Sequence, residues 1–148
     1  MPTLTISTLQ KGRIRVADDQ LTTLVTPLLG FPALKRWLFY QTEDGPIHWM
    51  QSVDDPQTGF CLLAPFDAGL DPDIELGNED VSDIGAMDAS DIDVYTMMVF
   101  DRDLDQHRTN LRAPILVCRT TQLAKQVVLH DTRLPIRFVL PDLKPIGR

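Results

Sequence analysis

The chain has 148 residues and a formal net charge of −7, a length that fits one domain with a core of its own. Its apolar fraction is 43%, which is ordinary for a globular protein, and no run approaches the ~18 apolar residues of a membrane span. The acidic balance argues against binding to nucleic acid, whose phosphates demand clustered Lys and Arg.

From the N-terminus, Leu4–Leu9 alternates with period two, Gln10-Lys11-Gly12 is a tight connection, and Arg13–Val16 alternates again. This predicts a hairpin with Ile14 and Val16 inward and Arg13 and Arg15 in water. Leu21–Val25 reads as a third strand. Pro27-Leu28-Leu29-Gly30-Phe31-Pro32 cannot be regular, but its apolar residues predict a packed loop. Arg36–Tyr40, Ile47–Val53 and Phe60–Ala64 read as strands joined by turns at 42–46 and 54–59. Asn78–Ile84 predicts one or two helical turns, capped by Asn78 and stopped by Gly85. Asp91–Phe100, Pro114–Cys118, Lys125–Leu129 and Ile136–Leu140 complete the strands. Many short strands without crossover helices predict a mainly β, small, single-domain antiparallel barrel-like fold with one or two short helices. The domain is expected over residues 1–140. Residues 141–148 are read as a short tail prone to disorder.

The charges are unevenly distributed. From Trp37 to Asp101 there is no Lys or Arg, and this stretch holds 15 of the 21 acidic residues. It sums to −15 and the remainder to +8. Such a partition predicts a one-sided field that draws basic partners and repels anions. The acidic stretch from Asp67 to Asp93 still carries Leu70, Ile74, Leu76, Val81, Ile84 and Met87. It is therefore expected to cross the surface as ordered chain.

Chemistry is sparse. Cys61 and Cys118 each sit in an apolar run and read as buried thiols, with a disulfide between them left open and no local base to make either a nucleophile. His48, His107 and His130 form no metal-ligand spacing. Asp101-Arg102-Asp103-Leu104-Asp105 starts like a calcium loop. Its sixth and twelfth positions, however, are Gln106 and Arg112 where glycine and a bidentate Glu are required, so it reads as a turn leaving a long strand. No nucleophile elbow, phosphate-cradling loop or dinucleotide fingerprint is present. Paired carboxylates could serve as acid and base, but their abundance singles out none. Arg102, Arg108, Arg112, Arg119, Lys125, Arg133 and Arg137 are dispersed along the C-terminal third. No cofactor, metal or catalytic residue is assigned. The N-terminus, Met-Pro-Thr-Leu-Thr-Ile, lacks a basic segment followed by a long apolar one, so a cytoplasmic location is expected.

Four strings in order carry a resemblance. They are Leu29-Gly30-Phe31-Pro32 with Lys35-Arg36-Trp37, and Ile47-His48-Trp49-Met50-Gln51-Ser52-Val53-Asp54-Asp55-Pro56. Next come Gly59-Phe60-Cys61-Leu62-Leu63-Ala64-Pro65-Phe66, then Thr109-Asn110-Leu111-Arg112-Ala113-Pro114-Ile115 with 125–131 and 134–137. From about Thr5 to Phe138 the chain resembles the FliW flagellar assembly factor family. The match departs from the family at His48, Met50 and Cys61. The resemblance implies a small β-barrel without enzymatic activity, which binds flagellin in the cytoplasm. When free, it would bind and antagonise the translational regulator CsrA, a small basic RNA-binding protein, relieving repression of flagellin synthesis. It also implies that Gly30 and Pro32 shape a loop, that Pro56 and Pro135 shape turns, and that Phe31, Trp49, Phe60 and Phe66 fill the core or, as the alternative for each, meet a partner. Charge and exposure nominate Asp71, Asp73, Glu75, Asp80, Asp83 and Asn110 as protein-binding residues, Asn110 serving either as a partner contact or as a turn cap. A monomer without nucleic-acid or membrane contacts is expected. The rival readings are a small-barrel enzyme using a carboxylate pair and a chaperone-like binder of another secreted protein.

Overall fold

The N-terminal hairpin is set by its alternation. A computed structural model describes residues 2–140, and in it β1 (Thr3–Thr8) pairs antiparallel with β2 (Gly12–Ala17). Ile6 and Val16 point inward, and Arg13 and Arg15 point to water. The connection closes on Gly12, whose φ of +66° is a left-handed conformation that favours glycine. Thr8 reinforces it: its hydroxyl donates to the Gly12 carbonyl at 2.7 Å and accepts from the Lys11 N–H at 2.9 Å.

The other strands are β3 (Thr22–Leu24), β4 (Arg36–Tyr40), β5 (Ile47–Ser52), β6 (Gly59–Leu63), β7 (Ile92–Asp101), β8 (Gln106–Thr109), β9 (Ile115–Cys118), β10 (Leu123–Gln126) and β11 (Phe138–Leu140). β7-β6-β5-β4-β3-β10-β9 runs in hydrogen-bonded order and closes where β9 pairs back on β7. The result is a barrel of seven strands. All of its junctions are antiparallel except β3–β10, where Leu24 pairs with Ala124 in parallel. Besides its pairing with β6, long β7 serves two further partners in turn, its first four residues pairing with β9 and its last four with β8. β11 extends the sheet beyond β8.

Period-two alternation sorts each strand into two faces. Leu24, Trp37, Met50, Leu62, Ile115, Val117 and Ala124 form the inner core, with Phe31, Phe39, Phe60, Tyr95 and Met97 packed against it. The alternate residues form three outer patches, each roofed by chain outside the barrel. The hairpin covers Leu38 with Ile6, Val16 and Leu21. Leu140, Ala68 and Leu70 cover Leu63 and Met98. The acidic excursion covers Ile92, Leu116, Cys118, Val127 and Leu129. Buried Gln51 ties the hairpin to the wall: its Oε1 accepts the Leu9 N–H at 2.9 Å, and its amide lies 3.0 Å from the Thr58 carbonyl.

Several expectations are corrected. The four-residue β8 was not anticipated, because its inward positions are His107 and Thr109 and its composition reads as polar. The strand expected at Lys125–Leu129 forms at Leu123–Gln126; Val127 and Leu129 still donate backbone hydrogen bonds to Pro114 and Arg112, at 2.9 and 2.7 Å. The last strand spans Phe138–Leu140 rather than 136–140. The helical turn α1 (Asn78–Asp83) starts after Gly77, so Asn78 is its first residue and not its cap. Gly85 follows its end with φ +69°, as expected of the stop. Phe66 is 48% exposed and does not fill the core. As expected, Cys61 and Cys118 are free thiols, Cys118 buried and Cys61 half-buried. The tail expected over 141–148 lies outside the described residues.

Candidate functional site: an acidic excursion on the barrel wall

Residues 64–91 leave β6, cross the outer face of the barrel and return into β7. The local sequence explains the path. In Asp71-Pro72-Asp73-Ile74-Glu75-Leu76 the carboxylates alternate with apolar residues, and the structure turns Asp71, Asp73 and Glu75 to solvent. Ile74, Leu76, Val81 and Ala86 pack on the patch that includes Ile84 and Leu116. Burial of this kind is worth about 25 cal/mol per Å² of apolar surface, enough to order a segment with little regular structure. The short helix α1 then places Glu79 and Asp80 in its first turn, where the exposed N–H groups favour negative charge. Thr121 fixes the exit by donating its hydroxyl to the Ile84 carbonyl at 2.6 Å.

The six nominated residues do not form one group. Asp80 and Asp83, three residues apart on α1, both receive Lys125 Nζ from β10, each at 2.8 Å. The Lys125 pKa is raised, first by the hydrogen bond to Asp80 and then by that to Asp83. These two acids thus clamp the excursion to the barrel. Asp71, Asp73 and Glu75 make no ion pair within 4 Å among the described residues and stay exposed. Asp73, Glu75 and Asp80 line a cleft of about 490 Å³, whose other wall is the segment from Val127 to Leu134. Asn110 lies elsewhere. Its Oδ1 accepts the Arg112 N–H at 2.9 Å, a turn cap, and it lines a separate cleft of about 670 Å³ with exposed Val99 and Ile136. Val128, 68% exposed on the wall of the acidic cleft, was missed. Alternation with buried Val127 and Leu129 is the signal that turns it outward.

The charge partition is partly undone in space. Five of the fifteen acids in the cation-free stretch find cations from outside it: Asp54 meets Arg36, Asp80 and Asp83 meet Lys125, Asp93 meets Arg119, and Asp101 meets Arg108. Strand pairing brings β4, β8, β9 and β10 alongside the acidic stretch, so the surviving field is concentrated on the excursion.

The Cys118 thiol is raised by burial but lowered further by hydrogen bonds with Thr120 and Thr121, so its net shift is downward, and its side chain is fully buried. Burial pushes the Cys61 thiol up to about 12, far from a reactive thiolate. Burial lowers the His48 pKa against the opposing pull of Asp67 and Asp93, and its ring meets Tyr95 edge-on at 4.9 Å. The carboxyl groups that move, Asp55 and Asp131, move down, held by hydrogen bonds from Thr58 and Arg133 respectively. A general acid would move up. No group of three His, Cys, Asp or Glu able to hold a metal occurs among the described residues, and none of their helices is long and apolar enough to cross a membrane.

A small closed β-barrel roofed by a surface excursion is the build of a flagellar assembly factor of known structure. The crystal structure of the flagellar assembly factor FliW superimposes with a TM-score of 0.84 at 26% identity, covering 92% of this chain and 96% of that one. The family model described as FliW protein matches residues 5–140, and the chain belongs to that family. Among curated relatives, the flagellar assembly factor FliW of Syntrophus aciditrophicus is 31% identical over 134 residues, covering 90% of this chain and 85% of the relative. That of Magnetococcus marinus is 30% identical over 133 residues, covering 88% and 82%. That of Caldicellulosiruptor saccharolyticus is 28% identical over 129 residues, covering 87% and 85%.

Proposed function

We propose that this flagellar assembly factor acts in the cytoplasm, as a monomer, by stoichiometric binding of flagellin and, when free of it, of the translational regulator CsrA. Capture of the regulator relieves repression of flagellin synthesis, and the two partners exclude one another. Family membership over residues 5–140 carries the reading. The chemistry of the surface supports it: Asp71, Asp73 and Glu75 face solvent and make no ion pair within 4 Å among the described residues, which favours a partner that is basic because it must hold RNA. The downward shifts of Asp55 and Asp131 speak against the rival enzyme. The test is a capture experiment at low ionic strength with purified flagellin and purified regulator. Each is expected to be retained at one binding site per chain, and added flagellin is expected to displace the regulator. Retention of neither, or turnover of a metabolite by the purified protein, would overturn the reading.

A further inference from the structure

The barrel is closed, but one of its edges reopens. β10 continues past Gln126 as extended chain, and its odd residues keep bonding inward: the Val127 N–H to the Pro114 carbonyl and the Leu129 N–H to the Arg112 carbonyl. The even residues therefore direct their N–H and C=O groups to the opposite side. There β3 accompanies β10 only briefly, bonding the carbonyls of Gln122 and Ala124 through the N–H groups of Thr23 and Val25, at 3.0 and 2.9 Å. Beyond that point the Val128 and His130 N–H groups have no hydrogen-bond partner among the described residues. Exposed strand edges of this kind are templates for an added strand.

The surroundings select what can be added. The cleft of about 490 Å³ beside this edge carries Asp73, Glu75 and Asp80 on its far wall and Asp131 at its end. Lys125 engages Asp80, and Arg133 pairs with Asp131 while its charge also acts on Asp73 and Glu75, so the four carboxylates outnumber the two cations and Asp73 and Glu75 are the ones without an ion pair. Val128 presents an isolated apolar side chain, 68% exposed, at the middle of the open edge. Side chains of an added strand alternate between two faces. An occupant would therefore place Lys or Arg towards Asp73 and Glu75 at every second position.

We propose that the edge at Val128–His130 receives an extended, basic segment of a partner protein as an added strand, its main chain paired with Val128 and His130 and its cationic side chains set against Asp73 and Glu75. The site rests on the reading of this protein as a binding factor and assigns a surface to its basic partner.

Val128→Pro tests it, because proline removes the N–H that an added strand would use and no bond of the described fold is lost with it. Val128→Ala keeps the N–H and controls for the side chain. The probe is a fluorescein-labelled octapeptide alternating lysine with threonine, followed by anisotropy at low salt. A second peptide of the same sequence is N-methylated at alternate amides. The expected result is binding that falls at least tenfold for Val128→Pro and for the methylated peptide, and less than threefold for Val128→Ala. Asp73→Asn/Glu75→Gln is expected to lose several-fold and to bind with a weaker salt dependence. Equal binding by wild type and Val128→Pro, or by both peptides, overturns strand addition, as does failure of the unmethylated peptide to bind while the whole regulator is captured. Peptide binding without capture of either whole partner overturns the proposed function and leaves the edge standing. Unchanged thermal unfolding of Val128→Pro confirms that its loss reports on the edge.

Discussion

Lys125 is the residue on which the excursion turns, since one ammonium joins two carboxylates on α1 to a barrel strand. All three side chains keep some contact with solvent, so the clamp belongs near the top of the range for surface pairs, about 1 kcal/mol. Lys125→Met should lower the unfolding free energy by that amount, read from urea denaturation. The sign of its pH dependence follows from the raised pKa. The ammonium is favoured in the folded state, so the contribution is complete below the ordinary lysine value and fades as pH rises through the folded-state value. The gap between wild type and Lys125→Met should stay constant from about pH 7 to about pH 9 and begin to close only above about 10.4. A gap that closes below that range would assign the stabilisation to another group. Gly85 makes a complementary point: it sits at φ +69°, and a Cβ added there would come within 3.0 Å of Thr121 Cγ2, the methyl of the residue whose hydroxyl fixes the end of α1.

Among the elements, β8 shows what polar strands conceal. Thr96 of β7 and Thr109 of β8 bury their hydroxyls 2.6 Å apart, and the Thr109 hydroxyl also lies 2.8 Å from the Met97 carbonyl oxygen. Thr109→Val leaves buried polar groups without partners and should cost about 1–2 kcal/mol, measured as a shift in denaturant midpoint. A cost close to zero would mean that water reaches the site. The same pair explains why β8 was invisible in the sequence: hydropathy counts Thr and His as surface residues, and only the β7 partner reveals that Gln-His-Arg-Thr alternates inward and outward. The strands that were legible, β1 to β7 and β9, alternate true hydrophobes or carry aromatic and β-branched runs. β10 slipped because Val127-Val128-Leu129 outweighs Leu123-Ala124-Lys125-Gln126 in apolar content, whereas the position of the strand is set by its partner β9. The acidic excursion was legible as ordered chain because apolar residues recur along it. The division of its carboxylates into clamped and free was not, since the cation that decides it lies more than forty residues away.

At the scale of the whole molecule, charge separated along the sequence is redistributed by folding, and most of the acids of the cation-free stretch left without an ion pair sit on one roof of the barrel. Asp71→Asn/Asp73→Asn/Glu75→Gln should slow association with the basic regulator about three- to tenfold at low salt and flatten its salt dependence, as followed by stopped-flow fluorescence. Asp80→Asn/Asp83→Asn should in addition lower stability, because those carboxylates hold Lys125 and with it the excursion. An on-rate that is indifferent to the first set of changes would remove the field from the account.

The parallel seam between Leu24 and Ala124 joins points one hundred residues apart. A ribosome making this protein must therefore deliver the chain through β10 before the ring can shut. Until β9 and β10 emerge from the exit tunnel, Asp93 waits for Arg119, and Asp80 and Asp83 wait for Lys125. The nascent chain consequently passes through an interval in which its acids are out and their counter-charges are still being translated. Self-repulsion of this kind opposes premature compaction, and Arg119 and Lys125 bring the counter-charges with the strands that close the barrel.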